Sequence, residues 1–224
     1  MKIATYFTPL DSIGAENEIK LIDLWKKAWR EAGFDPVVLS LYDAFKHPLF
    51  AQYREKVRTF PSVNPVGYDE QCWIRYAAVS ATGETMMMAD YDVFPTDIAK
   101  FNITESFTVW QDHGPCPCLV SGSPDEFTRI MRLFMEPGEF SSHDGNPHWS
   151  DMYAIQSLAG QYIQEDEVIE FNPTVDWKAK KAVHFPNGAM RKYGMKPKWK
   201  YVSGLLDGSV QIRWSEDGVE IEGL

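Results

Sequence analysis

The chain has 224 residues, 44% hydrophobic and 24% charged, with a formal net charge of −10; ordinary globular values of this kind exclude a disordered chain, a collagen-like rod and a coiled coil. Its longest apolar runs, such as Met86 to Ala89, fall far short of the ~20 residues a membrane-spanning helix needs, and at this length one domain with at most a lid or tail is expected. The cysteines (Cys72, Cys116, Cys118) are odd in number and too few for a disulfide framework, and Pro9 and Asp11 interrupt the apolar start, so a cytoplasmic protein without an export signal is expected.

Lys2 to Thr8, KIATYFT, is rich in β-branched and aromatic residues and ends at the breakers Pro9, Asp11 and Gly14, which predicts a first strand. Ile19, Ile22, Trp25, Trp29 and Ala32 recur at steps of three and four up to Gly33, the pattern of an amphipathic helix, and Pro36 to Leu41 follows as a second strand. Strand, helix and strand with short links open an α/β fold with a mostly parallel central sheet flanked by helices. A helix is expected around Tyr68 to Thr82, then an apolar strand within Glu84 to Phe94 that runs into Asp90-Tyr91-Asp92. Phe107 to Trp110 and Cys118 to Gly122 are further strands. Ser123-Pro124-Asp125-Glu126 reads as a capping box with proline at N1, opening a helix whose apolar face is Phe127, Ile130, Met131 and Phe134. Another helix begins near Ser150, Glu167 to Phe171 and Ala182 to Phe185 are short strands, and the alternation around Glu216-Asp217-Gly218 predicts a closing hairpin. The expected division is one domain over 1–200 and a hairpin or tail over 201–224 packed on it.

In an extended segment Asp90 and Asp92 point the same way, and the apolar strand before them sets them at its carboxyl end, where open α/β sheets bind ligands. Two carboxylates there suit a hard divalent cation that also holds phosphate oxygens. The same pair also reads as a solvated turn in which one aspartate caps the next segment. Downstream, VHFPNGAMRKYG (Val183 to Gly194) lies within a run from Lys178 to Lys200 that holds eight basic residues and no acidic one. His184 can serve there as a metal ligand or as an ordinary core histidine, while Asn187-Gly188, Arg191 and Lys192 offer backbone N–H groups and cations to a diphosphate. In HWSDMYAIQ (His148 to Gln156), Ser150 can cap a helix with Asp151 in its first turn, where the helix dipole favours a carboxylate. His143, Asp144 and His148, in the loop before it, are secondary candidates. A soft-metal reading of QDHGPCPC uses His113, Cys116 and Cys118, but structural zinc takes four ligands and no CxxC pair accompanies them. Walker A, GxGxxG and GxSxG motifs are absent.

With the strand KIATYFT, the strand ending in Asp90-Tyr91-Asp92, and His184-Phe185-Pro186-Asn187-Gly188 with its basic followers, the chain resembles the GT-A glycosyltransferases over roughly Lys2 to Lys192. These are metal-dependent enzymes that use nucleoside diphosphate sugars. The resemblance implies a single GT-A-like, Rossmann-like domain with Mn²⁺ or Mg²⁺ and a UDP-sugar donor. Thr5, Tyr6, Phe7 and Thr8 would cradle the nucleobase, Asp90 would lie near the ribose and metal, and Asp92 and His184 would ligate the metal. Arg75 would touch donor phosphate or sugar, Asn187, Gly188 and Lys192 would face the diphosphate, and Asp151 would face the sugar or act as base on the acceptor. Asp112 and His113 are candidates for the acceptor side. Small enzymes of this sort also resemble phage-encoded DNA glycosyltransferases, and eight positive charges exceed what one diphosphate needs. A hydroxymethylated pyrimidine in DNA, its backbone tracked by the segment 178–200, is therefore the specific acceptor expectation. A saccharide or a protein or lipid glycan is the alternative acceptor, and a non-catalytic nucleotide- or glycan-binding domain the alternative function.

Overall fold

The computed structural model describes residues 1–10, 15–111, 116–137, 141–143, 145–215 and 218–223. In chain order its elements are β1 (Lys2–Tyr6), α1 (Ala15–Glu31), β2 (Asp35–Leu39), α2 (Leu41–Ala44), α3 (Phe50–Val57), α4 (Tyr68–Ser80), β3 (Met86–Ala89), β4 (Val93–Pro95), β5 (Thr108–Val109), β6 (Leu119–Gly122) and α5 (Pro124–Phe134). There follow β7 (Ser141–His143), β8 (Asn146–His148), α6 (Asp151–Ser157), β9 (Ile163–Gln164), β10 (Val168–Glu170), β11 (Ala182–His184), α7 (Asn187–Lys192), α8 (Lys198–Asp207), β12 (Gln211–Ser215) and β13 (Gly218–Glu222).

The central sheet has the order β2-β1-β3-β6-β5-β9, and within it β6 alone runs against the others. Alternation along each strand sorts side chains to its two faces. Ile3 and Met87 pack with Leu21, Trp25 and Trp29 of α1, while Ala4, Met86 and Met88 pack with Trp73, Tyr76 and Ala77 of α4 and Phe127 and Phe134 of α5. The run MMMA is apolar without interruption because helices cover both faces of β3. The result is the expected helix–sheet–helix layering.

The expected single strand from Glu84 to Phe94 is two strands in two sheets. β3 ends at Ala89, Asp90 to Asp92 form a turn closed by the Val93 N–H donating to the Asp90 carbonyl (3.0 Å), and β4 then joins a second sheet in the order β10-β11-β4. The break has a physical reason: two aspartates cannot continue between two apolar layers without partners. It opens the chain at the seam between the sheets.

At α5 half of the expected capping box forms. Ser123 Oγ accepts from the Glu126 N–H (3.3 Å), but the Glu126 carboxylate turns to the Phe107 N–H (3.1 Å) and to Arg129 (2.7 Å), tying the helix to the start of β5. Ser123→Ala should therefore lower stability by about 1 kcal/mol in thermal or urea unfolding, without loss of any ligand-binding property.

The C-terminal hairpin is β12–β13, its turn residues Glu216 and Asp217 lying outside the described residues. The expected boundary at 200 falls inside α8, whose Val202 and Leu205 share the core with α1 and whose Trp199 Nε1 donates to Asn17 Oδ1 (3.1 Å). Among the described residues no helix is long and apolar enough to cross a membrane.

Candidate active site

β1 has β2 on one side and β3 on the other, so the chain departs in opposite directions from the carboxyl ends of β1 and β3 and leaves a crevice there. A cavity of about 450 Å³ fills it. Phe7, Pro9 and Leu10 after β1 line one part, and Tyr68, Gln71, Cys72 and Arg75 line another from a single face of α4. Asp90, Tyr91 and Asp92 of the turn, Asp151 opening α6, and His184 and Asn187 complete the wall.

The ionic groups in and behind the cavity wall form two clusters that adjoin at the Asp90–Asp92 turn. Arg75 donates through Nη1 to Asp90 and through Nη2 to Asp151 Oδ2 (2.6 Å) and the Pro117 carbonyl (3.1 Å). Lys198 Nζ donates to Asp92 Oδ2 (2.7 Å), His184 Nε2 lies 3.5 Å from Asp92 Oδ1, and the Phe185 N–H fixes the Asp92 carbonyl (2.9 Å). Buried charges persist only with partners, and here each carboxylate has one. Burial raises the Asp90 carboxyl to about 6, against the pull of Arg75 and with the help of the like charge on Asp92. Burial also opposes the charge of Asp92, yet Lys198 and His184 outweigh it and hold that carboxyl below the usual range. At His184 burial disfavours the imidazolium, but Asp92 raises it to about 9. Two neighbouring carboxylates are thus driven apart in acidity by what surrounds them.

One ligand atom each from Asp90, Asp92 and His184 lies within 4.8 Å of the other two. Around an octahedral cation with bonds of ~2.0–2.1 Å adjacent ligand atoms stand roughly 3 Å apart and opposite ones roughly 4 Å, so the set closes on Mg²⁺ or Mn²⁺ by side-chain rotation that brings the three inward. Asp90 meets Arg75 through one oxygen only, and His184 Nδ1 is buried with no hydrogen-bond partner. Donor type, spacing and these uncommitted atoms all fit a divalent cation.

The other expected site residues are distributed unevenly. Tyr6, Phe7 and Thr8 line the cavity, with the Tyr6 hydroxyl donating to Gln71 Oε1 (2.8 Å) and Thr8 Oγ1 donating to the Tyr6 hydroxyl (3.1 Å); Thr5 is buried beneath them and does not line it. Arg75 lines the cavity but is committed to two aspartates. Ser150 makes no side-chain cap, and Asp151 turns to Arg75. Asn187 lines the wall, whereas Gly188 and Lys192 do not; Lys192 is exposed, with Nζ 5.2 Å from the Tyr193 ring. Lys198, one of the eight basic residues of the segment 178–200, is the cation beside Asp92. His148 lines the cavity, its Nδ1 accepting from the Val63 N–H (3.3 Å). Asp112, His113 and Asp144 lie outside the described residues, as does the side chain of His143.

The basic segment is not one surface. Lys180 pairs with Asp166 (2.6 Å), Lys181 with Glu167 (2.7 Å) and Lys198 with Asp92 (2.7 Å). Tyr68 and Gln71 carried a usable signal, since they share the helical face of Arg75, whereas Lys198 meets Asp92 across 106 residues of chain and carried none.

No family model matches the chain, and no curated protein sequence matches it. Among solved structures, the fold is similar to that of a mutant Drosophila β-1,4-galactosyltransferase 7 in complex with manganese, UDP-Gal and xylobiose, at 10% identity and a TM-score of 0.43, over 85% of this chain and 73% of that one.

Proposed function

We propose that the cavity takes a nucleoside diphosphate sugar, a UDP-sugar by the GT-A resemblance of the sequence, and transfers its glycosyl group to a hydroxyl acceptor with a divalent cation in place. The observation that carries this is the convergence of Asp90, Asp92 and His184 at the carboxyl end of β3, on a cavity of about 450 Å³, a size suited to such a ligand. Asp90, Asp92 and His184 would hold Mn²⁺ or Mg²⁺, which when bound supplies positive charge against a leaving diphosphate.

The chain supplies the remainder. Phe7 and Tyr91, whose rings meet edge to face at 5.9 Å, provide the apolar end against which a base can pack. Lys198, which does not line the cavity, acts through Asp92 (2.7 Å) and sets the charge of that carboxylate; the diphosphate-facing role that the resemblance gave to Lys192 does not pass to it. Asp151 is the carboxylate for the sugar or acceptor side: burial raises its pKa against the pull of Arg75, and a more basic carboxylate is the better proton acceptor.

Lys198→Met should strengthen Mn²⁺ binding in the absence of nucleotide, because a competing cation leaves Asp92, and should change UDP binding only through the cation. Lys192→Ala should move neither in isothermal titration.

The test of the function is release of UDP from UDP-sugars with and without Mn²⁺, alone and with saccharides, glycan-bearing protein, hydroxymethylated duplex and plain duplex. Cation-dependent release with transfer to one acceptor class is expected. Labelling confined to the hydroxymethylated duplex is the outcome that a backbone-tracking role of residues 178–200 requires, and five of the eight basic residues there (Lys178, Arg191, Lys192, Lys196, Lys200) have no acidic partner among the described residues. Tight nucleotide binding without release from any donor would make the protein a binding domain instead.

A further inference from the structure

Cys116 and Cys118 lead into β6, which runs antiparallel beside β3, so they arrive next to the aspartate turn: the Asp90 N–H donates to the Cys118 carbonyl (2.8 Å). One ligand atom each from Cys116, Cys118 and His184 lies within 4.8 Å of the other two. This is the same histidine that belongs to the Asp90–Asp92 set. Its Nε2 faces Asp92, and its Nδ1, buried without a hydrogen-bond partner, is the one uncommitted nitrogen for which both sets compete. Two sulfurs and an imidazole form a soft donor set, suited to Zn²⁺ and ill suited to Mg²⁺.

We propose that Cys116, Cys118 and His184 form a Zn²⁺ site with an open fourth position, and that its occupation withdraws His184 from the Asp90–Asp92 cation set. Zn²⁺ and Mn²⁺ then exclude each other, and a soft metal regulates a hard-metal site through one shared ligand. The ligands of a tetrahedral zinc with bonds of ~2.0–2.3 Å stand roughly 3.5–4 Å apart, so side-chain rotation is enough to close the set. Both thiols and the imidazolium of His184 release their protons to solvent on binding. Cys118 now donates to Gln111 Oε1 (3.0 Å); as a thiolate it needs a donor, which Gln111 supplies by turning its amide over. His184 takes the place that the sequence alone gave to His113. The thiolate site stands independently of sugar transfer, and only the mutual exclusion rests on the proposed cation role.

The experiment titrates the reduced full chain with Co²⁺ as a spectroscopic stand-in for Zn²⁺ and follows thiolate-to-cobalt charge-transfer absorption. The expected band saturates at one equivalent, is removed by Zn²⁺, disappears in Cys116→Ser and persists in Cys72→Ser, a cavity cysteine outside the cluster. In wild-type protein, Zn²⁺ but not Mg²⁺ should protect Cys116 from alkylation, a readout that needs no variant. Followed by electron paramagnetic resonance, Zn²⁺ should release bound Mn²⁺ from the wild type, and Cys116→Ser should weaken that competition by more than the ~10–100-fold typical of an outer-shell change. An unchanged band in Cys116→Ser overturns the site. Simultaneous binding of Zn²⁺ and Mn²⁺, or a cysteine-dependent band in a chain that binds no Mn²⁺, overturns the exclusion and supports the thiolate site alone.

Discussion

Asp92→Asn is expected to leave a folded protein whose cation-dependent turnover falls on the order of 10²–10³-fold, the loss seen when one electrostatic partner of a transition state is removed. The amide keeps the volume and removes the charge. Asp92 would carry the proposed cation set more than Asp90, because Lys198 and His184 keep it ionised while Arg75 already holds part of Asp90. The folding cost is bounded: Lys198 loses a charged acceptor in a partly open cavity, about 1–3 kcal/mol for a charge-assisted bond. Mn²⁺ affinity and turnover at limiting Mn²⁺, measured beside an unfolding curve, separate the two effects. Near-normal turnover under that limit would remove Asp92 from the cation set.

What the sequence made legible is what neighbouring residues decide. The steps of three and four through Trp25 and Trp29, the proline at N1 after Ser123, and the apolar run before Asp90 are each local patterns, and α1, α5 and β3 follow them. The aspartate pair was visible for the same reason: a polar i, i+2 pair after a strand buried on both faces has few places to go. Local pattern cannot report which strands share a sheet. Val93 to Pro95 has the same apolar character as Met86 to Ala89, and its pairing with Ala182–His184 is what sets it in a second sheet beyond the aspartate turn. Long-range ion pairs were hidden on the same ground. Lys198 read as one member of a basic run, and Asp151 read equally well as a residue in the first turn of a helix. The fold commits the first to Asp92 and the second to Arg75.

Arg75→Met is expected to be the most destabilising single change in the site, by about 3–5 kcal/mol, because it strands the buried Asp151 carboxylate, and the half-buried one of Asp90, without their counter-ion. Set against a total stability of roughly 5–15 kcal/mol, that is enough to shift the protein toward the unfolded state at 37 °C. The two aspartates should not share the damage equally. The Asp90 side chain is 33% exposed and can recover water or a cation, whereas that of Asp151 is 8% exposed and has no such route. Adding Asp151→Asn to Arg75→Met should therefore restore most of the loss in urea midpoint, and adding Asp90→Asn should restore less. Mn²⁺ should stabilise Arg75→Met more than the wild type, since a cation at Asp90 replaces part of the missing charge and binding to the native state alone raises stability. If Asp151→Asn gives no rescue, Arg75 is not the group that neutralises Asp151, and the joining of Asp90 and Asp151 through one guanidinium fails. With the rescue, the buried arginine is a positioning residue. One of its terminal nitrogens holds Asp151 and the other holds one oxygen of Asp90, which leaves the second Asp90 oxygen for the proposed cation.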